Sequence, residues 1–370
     1  MKSVEIKTLN RKYKVLIENN ITGGIIYHIK ENFSNFNNLI VILNDKLYGI
    51  YGERINKILC TSFKLNTIII NDGEKYKNID TLKYIYQQLL KMNIHRNDVI
   101  LSFGGGVTGD IAGFAAATFN RGIKLIQYPT TIIAQVDSSI GGKTGINFKN
   151  TKNIIGCFYQ PHLIVTDPEL LKTLDENEII NGFGEIIKYG LVFDYQIIDD
   201  ILNISGNYKN DENRLFKIIE NADFENIIYK CIKIKAEIVE KDEFDLNERQ
   251  FLNFGHTIGH ALEKTIGFDN INHGQAVSLG ILCALDMSEN LGYLKRDFKK
   301  DILALYDILK LPKFISKISI KKIMKSLKYD KKFTSSKNRF ILLKGLNKPV
   351  IYNNLNENIV KNSIINNMLT

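Results

Sequence analysis

"NDVILSFGGGVTGDIAGF", residues 97–114, runs from a short apolar stretch through three glycines into a string of small residues. The apolar part has the make-up of a strand buried in a parallel sheet, and the part after the glycines reads as a small-residue helix. Gly104, Gly105 and Gly106 let the backbone approach a ligand closely and take positive φ. The helix N-terminus behind them offers unpaired N–H groups to a phosphate. The turn is neither a GxGxxG fingerprint nor a Walker loop with its lysine. Alone it indicates an anion or pyrophosphate site, with a tight packing turn as the plain alternative.

The flanks of this stretch repeat its rhythm. "YKVLIEN", "NLIVILND" and "NTIIIND" upstream have strand character, while "YGIYGERINKIL" and "IDTLKYIYQQLLKM" carry apolar residues at helical spacing. "GIKLIQYPT" downstream is a strand ending at Pro129. The alternation predicts a Rossmann-like α/β domain with a mostly parallel sheet over residues 1–170. From Asp167 the pattern turns helical, with Asp167 as N-cap before Pro168 and stops at Gly267 and Gly292. A mainly α-helical domain is expected over 171–370, with the active site in the cleft between the two.

Bulk properties narrow the function classes. The 370 residues carry a formal charge of +9. The basic excess is scattered, as in "LKRDFKK" and "YDKKFTSSKNR", and forms no stripe interleaved with aromatics, so nucleic acid is not an expected partner. No apolar run approaches the ~20 residues of a membrane span, and the N-terminus lacks a signal-like stretch, so a cytoplasmic protein is expected. Cys60, Cys157, Cys231 and Cys283 form no CxxC pair and read as reduced thiols.

Two further stretches carry chemistry. "YPTTIIAQVDSSIGGKTGIN", residues 128–147, gathers Thr130, Thr131, Asp137, Ser138 and Ser139 before Gly141, Gly142 and Lys143. A loop of this make-up is costly to order unless it binds something. Lys143 and Lys152 would supply charge for an anion, and Arg121 lies just upstream. "NFGHTIGHALE", residues 253–263, puts His256 and His260 one helical turn apart, and His273 follows in "NHGQAV". The spacing suits zinc, but no glutamate follows His256, so a third ligand must come from elsewhere. His273 and Glu185, the latter on an apolar helix behind glycines, are the candidates. Spacing does not say which histidine binds metal and which moves protons.

Taken together, "DGEKYK", "GGGVTGDIAGFAAATFNRG", "YPTTIIAQVDSSIGGKTGIN", "KNIIGCFYQP", "GEIIKYG", "LNFGHTIGHALE" and "HGQAVSLG" resemble the 3-dehydroquinate synthase family, in order from residue 72 to 280. The resemblance implies a carbon–oxygen lyase of the shikimate pathway, using NAD and zinc, with cobalt as an alternative metal, and acting as a homodimer. It implies an anionic sugar-phosphate substrate, 3-deoxy-D-arabino-heptulosonate 7-phosphate, converted to 3-dehydroquinate and phosphate. The implied steps are oxidation at C5, phosphate elimination, re-reduction, ring opening and aldol closure.

Residue by residue, the resemblance implies that Glu185, His256 and His273 hold the metal and that His260 lies by the substrate phosphate. Lys143, Lys152, Asn153, Lys188, Lys235, Arg249 and Asn253 are implied to bind substrate, the last four of these from the helical domain. Arg121 resembles an arginine that reaches a neighbouring subunit, and Arg339 a further phosphate contact. Glu74, Lys77, Gly105, Gly106, Val107, Asp110, Thr130, Thr131 and Asp137 resemble cofactor and active-site positions, joined by Lys143 and Lys152. The chain departs from the pattern at "NDKLY", which holds Asn44 and Lys46, and lacks a double glycine before Arg249. The rivals are a related cyclase acting on sedoheptulose 7-phosphate, a metal-dependent polyol dehydrogenase, and a basic binding protein that kept the fold.

Overall fold

The computed structural model describes residues 1–149, 151–209, 211–267, 270–295, 298–314, 318–328 and 338–368. Most of "YDKKFTSSKNR" and the centre of "LKRDFKK" lie outside the described residues. The chain forms two compact units, residues 1–174 with 231–244, and residues 175–230 with 245–370.

The first unit is built on β1 (Lys2–Lys7), β2 (Lys12–Ile17), β3 (Asn38–Asn44), β4 (Lys64–Ile70), β5 (Val99–Gly104) and β6 (Lys124–Pro129). A separate hairpin, β7 (Lys143–Phe148) and β8 (Thr151–Phe158), precedes β9 (Leu163–Thr166), which returns to the main sheet. The seven-stranded order is β1-β2-β9-β6-β5-β3-β4. Within this sheet, among the described residues, only the β1–β2 pair is antiparallel. The expected mostly parallel α/β half is therefore present.

Helices α1 (Ile25–Asn32), α2 (Asp45–Leu59), α3 (Ile79–Lys91) and α4 (Gly106–Thr118) cover this sheet on both faces. Leu39, Val41 and Leu43 of β3 pack with Tyr51, Ile55 and Leu59 of α2. Ile40 and Ile42 point the other way, into Leu82, Ile85 and Leu89 of α3 and Ile111 and Ala115 of α4. That is why "NLIVIL" is apolar without alternation. Each Leu, Ile or Val side chain among them contributes about 1.5–3 kcal/mol when fully buried. The chain runs from β3 outward to β4, then back to β5 on β3's other side. The switch point therefore lies where β3 ends at Asn44 and β5 ends at Gly104.

The second unit is mostly helical: α5 (Glu176–Val192), α6 (Gln196–Gly206), α7 (Arg214–Glu220), the first part of α8 (Phe224–Lys241), α9 (His256–Ile266) and α10 (His273–Asn290). It continues with α11 (Phe298–Ile308), α12 (Ile320–Lys328), the hairpin β10 (Arg339–Leu343) and β11 (Pro349–Asn353), and α13 (Glu357–Asn366). Helices α5 and α10 are buried on every face over most of their length, as their near-continuous apolar and small residues require.

Two local features differ from the sequence expectation. Asp167 caps only a 3₁₀ turn, Pro168–Thr173; Leu174 is extended, and Asp175 starts α5 by accepting from the Glu178 N–H. Residues 231–244, the end of α8 together with Asp242, Glu243 and Phe244, belong to the first unit. Polar contacts explain this: Lys7 N–H donates to Glu240 Oε1 at 2.7 Å, and Glu243 accepts from Leu9 N–H at 3.0 Å and Gln160 Nε2 at 2.9 Å. Lys235, expected from the helical half, is thus a residue of the first unit.

Candidate active site

In the first unit the glycine turn sits at the switch point. Gly105 is the N-cap of α4 in extended conformation, and no side chain caps the helix. The first N–H groups of α4, including that of Val107, thus have no capping side chain among the described residues. A Cβ on Gly105 would meet Thr131 Cγ2 at 3.1 Å, and one on Gly106 would meet Ser138 Oγ at 3.2 Å. The Thr130 N–H donates to the Gly104 carbonyl at 3.1 Å, tying the end of β6 to the turn. Further along α4 the small residues serve packing: a Cβ on Gly113 would meet Thr144 Cγ2 at 2.5 Å. The segment thus joins an uncapped helix start to a close helix contact.

Beside the turn, Glu74, Lys77, Asp110 and Asn153 come together. The buried Lys77 Nζ pairs with the Asp110 carboxylate and donates to Asn153 Oδ1 at 2.5 Å. Burial raises the Asp110 carboxyl pKa, and the Lys77 ammonium opposes that shift. Asn147 links the group: its Nδ2 donates to Glu74 Oε1 at 2.8 Å, its N–H to the Lys77 carbonyl at 2.8 Å, and its Oδ1 accepts from Asn153 N–H at 2.9 Å. Asp137, in the π turn Ala134–Ser138, accepts from Lys235 Nζ at 2.6 Å. Lys143 and Lys152 lie toward opposite ends of the β7–β8 hairpin, roughly 13 Å apart along the strands. Arg121 sits beyond the far end of α4, about 20 Å along the helix from the glycine turn, and the unit does not bring the two together.

In the second unit, Glu185 of α5 meets the first residues of α9 and α10. Its Oε1 lies 3.6 Å from His256 Nε2 and 3.6 Å from His273 Nε2. The Phe254 carbonyl, which can only accept, faces His256 Nδ1 at 3.2 Å, so the ring proton belongs on Nδ1. The Nε2 lone pair therefore points at a carboxylate oxygen. Two acceptors opposed in a buried place repel unless a cation or proton lies between them. Glu185 Oε1 is buried and has no hydrogen-bond partner among the described residues. Its other oxygen pairs with Lys188 Nζ, both side chains being 1% exposed. The three ligand atoms lie within 4.8 Å of one another, and two imidazoles with one carboxylate are the donor set of an open zinc site. The residues fit a divalent metal.

His260 is exposed on the same helix face, its ring 5.4 Å from that of His256 and 5.9 Å from that of His273. Arg249, 1% exposed, and Asn253 lie on the 3₁₀ turn that leads into α9. Arg339 opens β10 and donates to Gln250 Oε1 at 2.8 Å, next to Arg249 in sequence.

Glycines allow the ligands to converge. A Cβ on Gly280 of α10 would meet the Gly255 carbonyl oxygen at 2.0 Å, so α9 and α10 touch backbone to backbone. Gly255 itself has φ +80°. Asn181 Oδ1 accepts from the Gly274 N–H at 2.6 Å and pins the start of α10 to α5. Three polar residues at these places escaped the sequence reading: Asn147, Asn181 and Glu263. Only Glu263 had a visible signal, since it follows His260 by three positions and shares its helix face.

Comparison with known proteins bears on this arrangement. The N-terminal family of 3-dehydroquinate synthase matches residues 67–181, and the C-terminal family matches residues 182–333. The 3-dehydroquinate synthase of Clostridium kluyveri is 38% identical over 347 residues, 93% of each chain. That of Clostridium tetani is 36% identical over 367 residues, 98% of this chain and 94% of its own. Among solved structures, a 2-deoxy-scyllo-inosose synthase complexed with carbaglucose-6-phosphate, NAD+ and Co2+ superimposes with a TM-score of 0.86. It covers 99% of this chain and all of its own at 22% identity, a likeness of fold.

Proposed function

The chain belongs to the 3-dehydroquinate synthase family, and from that membership we propose that it converts 3-deoxy-D-arabino-heptulosonate 7-phosphate to 3-dehydroquinate and phosphate. The observation that carries the metal part is the partnerless, buried Glu185 Oε1 facing two histidine nitrogens. Glu185, His256 and His273 would hold a divalent metal, zinc in our reading, and the glycine turn with Glu74, Lys77, Asp110, Thr130 and Thr131 would hold NAD. When bound, these groups supply a Lewis acid and a reversible hydride acceptor, the requirements of a redox-neutral elimination. A related cyclase that carries NAD+ and Co2+ on the same fold supports the pairing.

The remaining roles fall to side chains. The substrate carries a carboxylate and a phosphate, whose unpaired burial would cost several kcal/mol or more. Arg249, Lys143, Lys152 and Lys235 answer that charge, with Asn153 and Asn253 binding hydroxyls. Lys188 pairs with Glu185 and reaches the substrate. Asp137 orients Lys235 through their 2.6 Å contact. His260, exposed beside the metal group, holds or moves a proton at the leaving phosphate. Arg121, remote from its own glycine turn, serves the phosphate site of a partner in a homodimer. The protein works in the cytoplasm. Among the described residues no helix is long and apolar enough to cross a membrane. The test is product stoichiometry: 3-dehydroquinate and phosphate in equal amounts with no net NADH. A polyol dehydrogenase would accumulate NADH instead, and a sedoheptulose cyclase would leave the heptulosonate untouched.

A further inference from the structure

We propose that Glu263 is a positioning residue for the His273 imidazole, an inference that rests on the metal reading above. Glu263 lies in α9, 2% exposed, on the helix face that carries His256 and His260. Its Oε1 faces His273 Nδ1 at 3.5 Å, while Nε2 of the same ring faces Glu185 Oε1 at 3.6 Å. One imidazole thus stands between two carboxylates. A neutral imidazole has one N–H and one lone pair, and an ionised carboxylate only accepts. With the proton on Nδ1, toward Glu263, the Nε2 lone pair is directed at the space shared with Glu185 and His256. With the proton on Nε2, the ring would donate to Glu185 and could not ligate there.

Glu263 selects the first arrangement. A carboxylate on the outer nitrogen of a ligating histidine fixes its tautomer and raises its basicity. His256 obtains the same orientation from the Phe254 carbonyl, a neutral acceptor. The two histidines are therefore held by different devices, and only that of His273 can be removed by changing a side chain. Glu263 is also close to His260: ligand atoms of His260, Glu263 and His273 lie within 4.8 Å of one another. The carboxylate stands next to both the metal-facing ring and the exposed histidine.

The test is a cobalt(II) titration of metal-free, full-length wild type, Glu263→Gln and Glu263→Ala. Ligand-field absorption and chelator competition report binding, and unfolding of the metal-free forms reports folding separately. Affinity is expected to fall about tenfold in Glu263→Gln and about a hundredfold in Glu263→Ala, with altered cobalt spectra. The isosteric glutamine variant carries the test if the alanine variant does not fold. Wild-type affinity and an unchanged spectrum in the glutamine variant would overturn the positioning role and leave the metal reading standing. A wild type that binds no cobalt would overturn both.

Discussion

Gly184 and Gly274 touch through their backbones: a Cβ built on Gly184 would meet the Gly274 carbonyl oxygen at 2.2 Å. The next residue after Gly184 is Glu185, and the one before Gly274 is His273. The crossing of α5 and α10 is thereby as close as backbones allow at the point where two candidate ligands must meet.

Gly184→Ala should therefore damage both packing and metal binding. The obstructing atom is backbone and cannot rotate away, so a stability loss of about 1–3 kcal/mol is expected, together with reduced metal content. Gly206→Ala is the control, since nothing among the described residues lies within 4 Å of its added Cβ. It should be neutral or slightly stabilising at the end of α6. Thermal unfolding and elemental analysis of the purified variants check both. An equally stable, metal-replete Gly184→Ala would mean that the helices part without cost.

Lys188 and Glu185 form a buried pair, so removing one partner leaves a charge stranded. Lys188→Met should lower the stability of the metal-free protein by about 3–5 kcal/mol. The Glu185→Gln, Lys188→Met double variant should recover most of that loss. Denaturant unfolding of the four proteins completes the cycle, and purely additive losses would contradict the coupling.

His162 predicts an acid-sensitive step outside the site. Burial first, then Arg11 and Lys124, lowers its pKa from the ordinary 6.5 to about 3. Its Nδ1 accepts from the Leu125 N–H at 3.1 Å, a bond only the unprotonated nitrogen can make. The unfolded chain takes up a proton near 6.5, and the folded one does so only near 3. The stabilisation is complete above 6.5 and falls away toward 3, with a slope of at most about 1.4 kcal/mol per pH unit. In His162→Gln, which keeps an acceptor, this part of the slope should vanish from unfolding curves across that range. An identical slope in the variant would assign the acid sensitivity elsewhere.

Much of the first unit was legible because its physics is local. The unalternating "NLIVIL" signals two covered faces, and strand, glycines and small-residue helix in residues 97–114 announce the turn. The departures arise where distant contacts decide. Helix α8 continues unbroken past Cys231, so nothing local shows that Glu240 and Glu243 attach its end to the first unit. The break before α5 depends on Asp175 competing as a cap with Asp167, eight residues apart. For the candidate site, spacing linked only His256 and His260. Glu185 and His273 lie on other helices, and their convergence depends on which glycines face each other across a crossing. Residue type and context made both of them candidates and the resemblance assigned their roles; the geometry adds the opposed lone pairs and the buried Glu185 oxygen without a hydrogen bond among the described residues.

The most direct measurement is phosphate release from 3-deoxy-D-arabino-heptulosonate 7-phosphate in the presence of NAD, by wild type and His273→Ala, before and after stringent chelation. Wild type should release phosphate with no net NADH, lose that activity on chelation and regain it with zinc or cobalt. His273→Ala should hold little metal and regain little activity. Phosphate release that survives metal removal, or a His273→Ala enzyme as active as wild type, would contradict the assignment of Glu185, His256 and His273 as the metal centre.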